Sequence, residues 1–329
     1  MKALVTGATG FIGSNVVRAL LARGYQVRAL TREGSNLSNL RGLDVELALG
    51  DVRERASLER ALEGCDCLFH LAAAYALWTP DPKPIYDINV DGTVNALAAA
   101  RTAGVRRVVY TSSESTIGIA RNGELGTEAL FAEPDELAGH YKRSKYLAEQ
   151  VALRASGDGL DVVVVNPTTP IGRGDIRPTP TGQIVVDFLN GRMPAYVNTG
   201  LNLVDVDDVA VGHVLALEKG RPGERYILGN KNLTLKEILG ALARVTGRRA
   251  PQVRLPLWVA LWAAYVSEFT ARRLTGGPPR IPVTGVKVAR HFRYFDCSKA
   301  VHELGMPQTP IEEALRKAVQ WFREHGYAS

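Results

Sequence analysis

Three polar side chains could together move a proton and orient a carbonyl group. Tyr141 and Lys145 are four residues apart, so on a helix both side chains project from one face. A phenol with a pKa of about 10 is a poor acid–base group at neutral pH, but a neighbouring ammonium favours the phenolate. Tyr141 would donate a proton to a carbonyl oxygen as hydride arrives, while Ser113 would hydrogen-bond the same oxygen. A surface Tyr–Lys pair is the alternative, and Ser113 at the end of a predicted strand argues against it.

A glycine-rich turn near the start of the chain could hold the hydride carrier. Gly7, Gly10 and Gly13 follow a short apolar run and precede apolar residues at helical spacing. Without side chains, they let the backbone approach a pyrophosphate, which would lie against the free N–H groups and positive dipole end of the helix. This strand–turn–helix context predicts a dinucleotide site. The other cofactor contacts predicted in this turn are Thr9, Phe11 and Ile12.

The end of the second predicted strand indicates the type of cofactor. An acidic residue is expected there, about 20 residues beyond the glycines, when a ribose 2′-hydroxyl is recognised. This chain has Thr31 and Arg32 instead, with Ser35 shortly after. Because a guanidinium suits a 2′-phosphate, we predict NADP in preference to NAD. A solvated surface arginine is the alternative interpretation.

Strands and helices alternate through the first half of the chain. The predicted strands are 3–5, 26–31, 45–50, 67–71, 107–112 and 161–166, and the helices between them include 56–63, 93–103 and 140–155. This alternation predicts an α/β fold with a doubly wound parallel sheet and right-handed crossovers.

The second half has a different texture. Residues 167–200 are rich in Pro, Gly and Thr, and short helices separated by Pro and Gly begin near residue 233. A chain of 329 residues can bury one large core or two. We predict a dinucleotide-binding domain over 1–166, to which 202–217 returns. A smaller, mostly helical substrate-binding cap would occupy 167–329.

The composition favours a cytoplasmic metabolic enzyme. The three cysteines, Cys65, Cys67 and Cys297, cannot form a disulfide framework, and no matching ligand pair accompanies them, so we expect no metal. The first strand begins so early that we expect no N-terminal signal. The apolar stretch 257–266 is about half as long as a membrane span. The net charge is +6, but no nucleic-acid-binding motif accompanies it.

A basic tract surrounds an aromatic segment. Between residues 244 and 293 there are ten Lys and Arg residues and one acid, Glu268. Apolar residues at helical spacing lie inside the tract: Trp258, Leu261, Trp262, Tyr265 and Phe269. We favour a cap helix packed over the active site, because apolar stripes usually face a core. The alternative is a helix resting on an anionic membrane surface, where it would meet a lipid-like substrate.

The chain resembles the extended short-chain dehydrogenase/reductases over nearly its whole length. The motifs that carry the resemblance are the glycine turn at 7–13, Gly50-Asp51-Val52, His70-Leu71-Ala72-Ala73, residues 89–93, residues 110–113, Tyr141 with Lys145, Asn166-Pro167 and residues 204–209. Their order and spacing are jointly specific. The resemblance implies a Rossmann-type fold and a homodimer formed through the helices at 93–103 and 140–155.

The same resemblance implies roles for individual residues. Asn89 is expected to support the architecture of the active site, and we expect His70 to be a core residue with satisfied hydrogen bonds. The implied cofactor contacts beyond the glycine turn are Asp51 and Val52 at the adenine, Ala72 and Ala73 at the central part, Tyr141 and Lys145 at the ribose and nicotinamide end, and Pro167 near the nicotinamide.

Differences from two subgroups of the family limit which reactions we expect of this chain. Its dehydratases usually carry an Asp–Glu pair after the catalytic Ser or Thr, whereas this chain has Glu114 and Ser115. Its epimerases commonly place a diphosphate-binding Arg where this chain has Leu201, although Arg173 or Arg177 could substitute. Glu114 could be a second acid–base group, or a solvated or hydrogen-bonded carboxylate.

The remaining resemblance is to the dihydroflavonol reductase and 3β-hydroxysteroid dehydrogenase branch, and to bacterial proteins called hopanoid-associated sugar epimerases, through residues 166–172 and 295–300. We predict an NADP-dependent reductase that converts a fairly apolar ketone or aldehyde to an alcohol. The alternative is an epimerase acting on a nucleotide sugar or a hopanoid-associated sugar with tightly held NAD(P). A non-catalytic cofactor-binding protein is disfavoured by the intact Ser113, Tyr141 and Lys145.

Overall fold

The computed structural model describes residues 1–76, 78–119, 124–271, 273, 279 and 282–328. Its strands, in chain order, are β1 (Lys2–Thr6), β2 (Gln26–Thr31), β3 (Glu46–Leu49), β4 (Cys67–His70), β5 (Arg107–Thr111), β6 (Val162–Pro167), β7 (Thr169–Ile171), β8 (Ala195–Val197), β9 (Gly200–Asp205), β10 (Arg225–Leu228), β11 (Lys231–Thr234) and β12 (Val253–Leu255). Its α-helices are α1 (Phe11–Ala22), α2 (Arg55–Leu62), α3 (Lys83–Tyr86), α4 (Gly92–Thr102), α5 (His140–Gly157), α6 (Pro180–Leu189), α7 (Val206–Lys219), α8 (Leu235–Thr246), α9 (Leu257–Thr270), α10 (Val283–Val288) and α11 (Ile311–Glu324).

Seven parallel strands form the central sheet, in the order β3-β2-β1-β4-β5-β6-β10. Helices α1 and α7 cover one face, and α2, α4 and α5 cover the other. Strands β4, β6 and β10 are buried along their whole length, as expected for parallel strands covered on both faces. The predicted Rossmann-type α/β fold is confirmed, and each predicted strand agrees with an observed one to within one residue at either end.

The strand order reverses between β1 and β4. The chain runs outward from β1 through β2 to β3 on one side, and from β4 through β5 to β6 on the other. In open parallel sheets, this reversal leaves a crevice outside the carboxyl ends of the strands, where ligands bind. The residues that follow β1, β2, β4, β5 and β6 therefore converge on one edge of the sheet.

The second half of the chain builds two small sheets and a helical core. Strands β7, β9 and β11 form one sheet, and β8 pairs with β12. The prediction that 202–217 returns to the dinucleotide-binding domain needs a correction. Strand β9 joins the three-stranded sheet with β7 and β11, and only helix α7 packs on the main sheet. The seventh strand of the main sheet is β10, which contains a charged residue, Arg225. That arginine is buried because it pairs with Glu149.

Helix α9 also differs from the prediction. Its buried residue is Ala264, and Leu257 and Leu261 line a cavity shared with residues around α10. The aromatic side chains are 55–72% exposed: Trp258, Trp262, Tyr265 and Phe269. The interpretation that this aromatic stripe faces a core is therefore wrong, since the helix turns its smaller side chains inward. Arg272 and Arg280 of the basic tract lie outside the described residues. No described helix has the length and apolar character needed to cross a bilayer.

Candidate active site

The glycine turn joins β1 to α1 with almost no spare room. A Cβ atom on Gly7, whose φ is +69°, would lie 2.8 Å from the amide nitrogen of Ala72. A Cβ atom on Gly13 would lie 2.1 Å from the carbonyl oxygen of Gly7. Gly10 precedes the helix, and no side-chain hydrogen bond caps it there. The N–H groups of the first turn of α1 are therefore available to an anion such as a pyrophosphate.

A buried hydroxyl joins the turn to the neighbouring strand. Thr6 Oγ1 accepts hydrogen bonds from the N–H groups of Leu71 and Ala72, each at 3.1 Å, and lies 2.9 Å from His70 Nδ1. Burial lowers the pKa of His70 to about 3, so this histidine is neutral at physiological pH. The prediction that His70 is a satisfied core residue is confirmed.

A cavity of about 960 Å³ opens at the carboxyl edge of the sheet. Six of the predicted cofactor contacts line it: Thr9, Gly10, Phe11, Arg32, Asp51 and Ala73. The other predicted contacts are not part of its lining: Gly7, Ile12, Gly13, Val52, Ala72, Tyr141, Lys145 and Pro167. Residues 175–179, after β7, form a further wall that the sequence analysis missed. The volume is within the range of small-molecule and cofactor sites.

Arg32 begins a tight turn at the wall of this cavity. The N–H group of Ser35 donates to the carbonyl oxygen of Arg32, and the N–H group of Arg32 donates to Ser35 Oγ, both at 3.1 Å. The guanidinium is exposed and makes no hydrogen bond or ion pair with the described residues. Glu33 lines the same cavity, and the sequence analysis overlooked it. Unlike the Arg32 guanidinium, the Asp51 carboxyl has a partner. Two hydrogen bonds from Arg53, at 3.0 and 2.7 Å, lower the pKa of this carboxyl.

The structure brings Ser113 and Tyr141 together. Ser113 follows β5, and its Oγ accepts hydrogen bonds from the N–H and hydroxyl groups of Ser115 at 3.2 and 3.0 Å. Tyr141 lies in the first turn of α5, close enough to Ser113 for the serine hydroxyl to influence its pKa. Burial raises the pKa of Tyr141 to about 12, and the nearby Ser113 hydroxyl opposes that shift. The Tyr75 ring packs edge-on against Tyr141, with centroids 4.5 Å apart.

Lys145 is held against the end of β5. Its Nζ donates to the carbonyl oxygen of Thr111 at 2.7 Å and to the hydroxyl of Tyr110 at 3.1 Å. Burial lowers the pKa of Lys145 to about 8, while the Glu149 carboxylate acts in the opposite direction. Burial dominates and raises the pKa of Tyr141, and a favourable effect of the Lys145 ammonium on the phenolate stays a prediction.

Two asparagines fix the backbone around these groups. Asn166 Nδ2 donates to the carbonyl oxygen of Ser113 at 3.1 Å. Asn89, on a π-helical segment, accepts from the N–H group of Ala74 at 2.7 Å and donates to Ser144 Oγ at 2.8 Å. Asn89 therefore ties the loop after β4 to α5, in line with its expected architectural role.

A buried ion pair lies behind Ser113. Arg225 Nε is 3.1 Å from Glu149 Oε1, and both side chains are almost fully buried. Glu149 Oε2 accepts hydrogen bonds from Asn166 and Thr116, both at 2.7 Å. The Arg225 guanidinium also stacks over the Phe131 ring at 4.1 Å. The sequence analysis missed this pair. The one local signal for it was the charged residue Arg225 inside an apolar strand.

Glu114 is bound by an arginine from the far end of the chain. Arg293, 4% exposed, donates to Glu114 Oε2 through Nε at 2.9 Å and to the Glu114 carbonyl oxygen through Nη2 at 2.8 Å. Nη2 also contacts Oε2. Of the two alternatives left open for Glu114, the geometry favours the hydrogen-bonded carboxylate. The role of Arg293 was not predicted, since the two residues are 179 positions apart.

A second cavity, of about 610 Å³, begins at Tyr75. Most of its lining is apolar, and includes Trp78, Ile184, Met193, Val286 and four prolines. Leu201 packs against the hydrophobic core of the cap. Arg173 forms an ion pair with Asp207 at 3.1 Å, and Arg177 lines the first cavity instead.

Comparisons with known proteins agree with this geometry. Residues 3–229 match the model of the NAD dependent epimerase/dehydratase family. A protein of Synechocystis sp. named "Putative dihydroflavonol 4-reductase" is 50% identical over 98% of this chain and 95% of its own. The 4-hydroxy-2-methyl-3-oxo-4-farnesyl-3,4-dihydroquinoline-1-oxide ketoreductase of Stigmatella aurantiaca is 33% identical over 93% of this chain and 91% of its own.

Among solved structures, the crystal structure of gox2253 is 44% identical, with a TM-score of 0.88 and 99% coverage of both chains. The strand order, the glycine turn and these similarities lead to the same assignment. The chain belongs to the NAD dependent epimerase/dehydratase family, within the extended short-chain dehydrogenase/reductases, whose members are oxidoreductases or epimerases dependent on a nicotinamide dinucleotide.

Proposed function

We propose that the protein is an NADP-dependent reductase of an apolar ketone or aldehyde. The observation that carries the proposal is the position of Tyr141, a phenol close to Ser113 and packed against Tyr75. Tyr75 lines both the first cavity, of about 960 Å³, and the second, largely apolar cavity of about 610 Å³, which we call the apolar cleft. A bound reduced nicotinamide would supply a hydride to the carbonyl carbon. Tyr141 would give its proton to the carbonyl oxygen, and Ser113 would orient that oxygen.

The residues around the first cavity fit a dinucleotide. The space beside Gly7 and Gly13 is already filled by backbone, so the turn can present only backbone groups to a pyrophosphate. The exposed Arg32 guanidinium and the nearby Ser35 hydroxyl would bind a ribose 2′-phosphate. Glu33 is the competing feature, since a carboxylate accepts hydrogen bonds from a bare 2′-hydroxyl.

The lining of the second cavity supports an apolar substrate. Among its described residues there is no arginine or lysine to pair with the diphosphate of a nucleotide sugar. Burial of an apolar ligand against Trp78, Ile184 and Met193 would be favourable at roughly 25 cal/mol per Å². The Stigmatella relative is named for an oxo compound that carries a farnesyl group, which is consistent with this chemistry.

The pKa of Tyr141 bears on the epimerase alternative. An epimerase begins by oxidising its substrate, so Tyr141 would have to accept a proton first. Burial raises the pKa of Tyr141 to about 12, which favours the protonated phenol. The protonated form, which reduction requires, is the one that predominates.

Substrate panels test the reaction type. Purified protein is given NADPH with hydrophobic ketones and aldehydes, and separately with UDP-, GDP- and dTDP-sugars. We expect NADPH consumption with the carbonyl panel first. A sugar nucleotide interconverted without net consumption of cofactor would overturn the proposal and restore the epimerase.

Cofactor titrations test the choice of NADP. We expect NADPH to bind at least several-fold more tightly than NADH. Arg32→Ala should weaken NADPH by about tenfold, the loss of one or two charge-assisted hydrogen bonds. Glu33→Ala is the matched control in the same turn, and it should leave NADPH binding unchanged. Equal dissociation constants for the two cofactors in the unmodified protein would contradict the assignment.

A further inference from the structure

One face of α9 carries large aromatic side chains in contact with solvent. The members of this aromatic stripe, Trp258, Trp262, Tyr265 and Phe269, are 72%, 71%, 55% and 64% exposed. Their spacing of four, three and four residues places them on a single face. Together they expose on the order of 500 Å² of aromatic surface, as much as the largest apolar patch of a typical monomer.

The adjoining side of α9 is turned toward the protein. Residues one position earlier, about 100° around the helix, face the rest of the cap: Leu257 and Leu261 line a cavity with Lys287, and Ala264 is fully buried. Glu268 accepts a hydrogen bond from the N–H group of Val283, at the start of α10, at 2.8 Å. The aromatic stripe is therefore an additional surface, and not a core face that has lost its partner.

Positive charge surrounds the aromatic stripe. Arg254 precedes Trp258 by four residues and Arg273 follows Phe269 by four, and both are exposed. Lys287 and Arg290, in and just after α10, are exposed as well, and they line the cavity beside α9 together with Asp135 and Glu136. Glu268, the one acid between residues 244 and 293, is engaged with α10. Aromatic side chains flanked by arginines and lysines are typical of helices that lie in the interface of an anionic membrane.

We propose that α9 docks this protein on an anionic lipid surface, with the aromatic stripe in the interfacial region and the flanking arginines at the headgroups. A second copy of the chain is a poorer occupant, because a symmetric contact would bring the same positive charges together. The apolar cleft lies beside this surface, since Gly285 and Val286 of α10 line it and α10 packs on α9. Docking would place the cleft where a membrane-dissolved ketone can enter.

Vesicle sedimentation tests the proposal on the full chain. Vesicles of phosphatidylcholine alone are compared with vesicles that also contain phosphatidylglycerol. We expect the protein to bind the anionic vesicles at least about tenfold more tightly and to lose this preference at high salt. Two of the four tryptophans are in the aromatic stripe, so tryptophan emission should shift to shorter wavelength on binding.

Variants separate the aromatic and the charged contributions. Trp258→Ser/Trp262→Ser/Phe269→Ser and Arg254→Gln/Arg273→Gln should each weaken anionic-vesicle binding about tenfold or more. The matched control is Leu47→Ser, a half-exposed apolar residue on β3, which should bind like the unmodified protein. Far-UV circular dichroism and the thermal unfolding midpoint report whether each variant is folded.

Three results would overturn the proposal. One is equal binding to both vesicle types. Another is unchanged anionic-vesicle binding by the aromatic triple variant. The third is a dimer in vesicle-free buffer that this variant dissociates, which would assign the surface to a second copy. None of them depends on the reductase proposal, since vesicle binding is measured without substrate.

Discussion

The glycine turn and the Glu114–Arg293 contact are built by different means. The turn uses residues close in sequence, and its shape depends on clearances such as the 2.1 Å between a Cβ on Gly13 and the Gly7 oxygen. The contact beside Ser113 joins residues 179 positions apart through a guanidinium and a carboxylate. The glycine turn is thus determined by local backbone sterics, and the surroundings of Ser113 by a side chain from a distant part of the chain. A turn formed by neighbouring residues can be recognised in the sequence, whereas a contact between residues far apart in the chain cannot.

The largest effect should come from the phenol between these two regions. Tyr141→Phe removes the proton donor and preserves the ring that packs on Tyr75. We expect kcat for carbonyl reduction to fall about a hundredfold or more, with little change in the dissociation constant of NADPH. Steady-state kinetics and a fluorescence titration measure the two quantities. A near-native kcat would show that the proton comes from another group.

The turn can be broken by a single methyl group. Gly13→Ala forces a Cβ into the Gly7 carbonyl, and we expect a loss of about 2–3 kcal/mol in the free energy of unfolding, typical of overpacking. Gly10→Ala is the matched control, because its Cβ would lie 3.2 Å from the same oxygen and its φ of −77° suits alanine. It should keep most of the stability but weaken cofactor binding, since Gly10 lines the cavity. Urea unfolding that shows the two variants equally stable would contradict the clearance argument.

The contact between Glu114 and Arg293 should respond differently to substitution. Arg293→Gln leaves the Glu114 carboxylate without its guanidinium, which we expect to cost about 2 kcal/mol of stability, less than for a fully buried pair. As a positioning residue, Arg293 should change kcat by roughly tenfold through Ser113 while the affinity for NADPH stays constant. Adding Glu114→Gln should recover part of the loss, because the unpaired charge is removed. Strictly additive effects of the two substitutions would argue against this coupling.

The last effect concerns a lysine that follows Tyr141 in the chain. Lys142 is 9% exposed, and burial, assisted by Arg293, lowers its pKa from 10.5 to about 8. Its ammonium has no hydrogen-bond acceptor among the described contacts. Because the folded state binds fewer protons than the unfolded state between pH 8 and 10.5, Lys142 destabilises the fold most below pH 8 and less as the pH rises.

Lys142→Met should therefore raise the free energy of unfolding by about 1–3 kcal/mol at pH 7. This advantage should shrink as the pH rises from about 8 to 10.5. Lys236→Met, on the exposed side of α8, is the matched control and should show no such pH dependence. Urea unfolding at several pH values checks both variants, and a stability gain independent of pH would contradict the burial argument.

The sequence alone determined the first half of the main sheet and pointed to the candidate reacting groups. Alternating apolar runs and helical periodicity located β1 to β6, because the inner strands β1, β4, β5 and β6 are buried almost throughout and each helix buries one face. The glycine turn and the Tyr141–Lys145 pair were recognisable because each is formed by residues close together in the sequence. The roles of these residues in cofactor binding and catalysis remain predictions.

The tertiary structure decided what depends on distant partners. Strand β10 is short and contains Arg225, and its burial is acceptable only because Glu149 lies on the facing helix. The direction of the pKa shift of Tyr141 depends on how completely it is buried, which spacing does not reveal. The outward face of α9 depends on α10, whose backbone N–H group is bound by Glu268. In each case the free energy of a charged or aromatic side chain is set by neighbours far away in the chain, so only the folded arrangement fixes it.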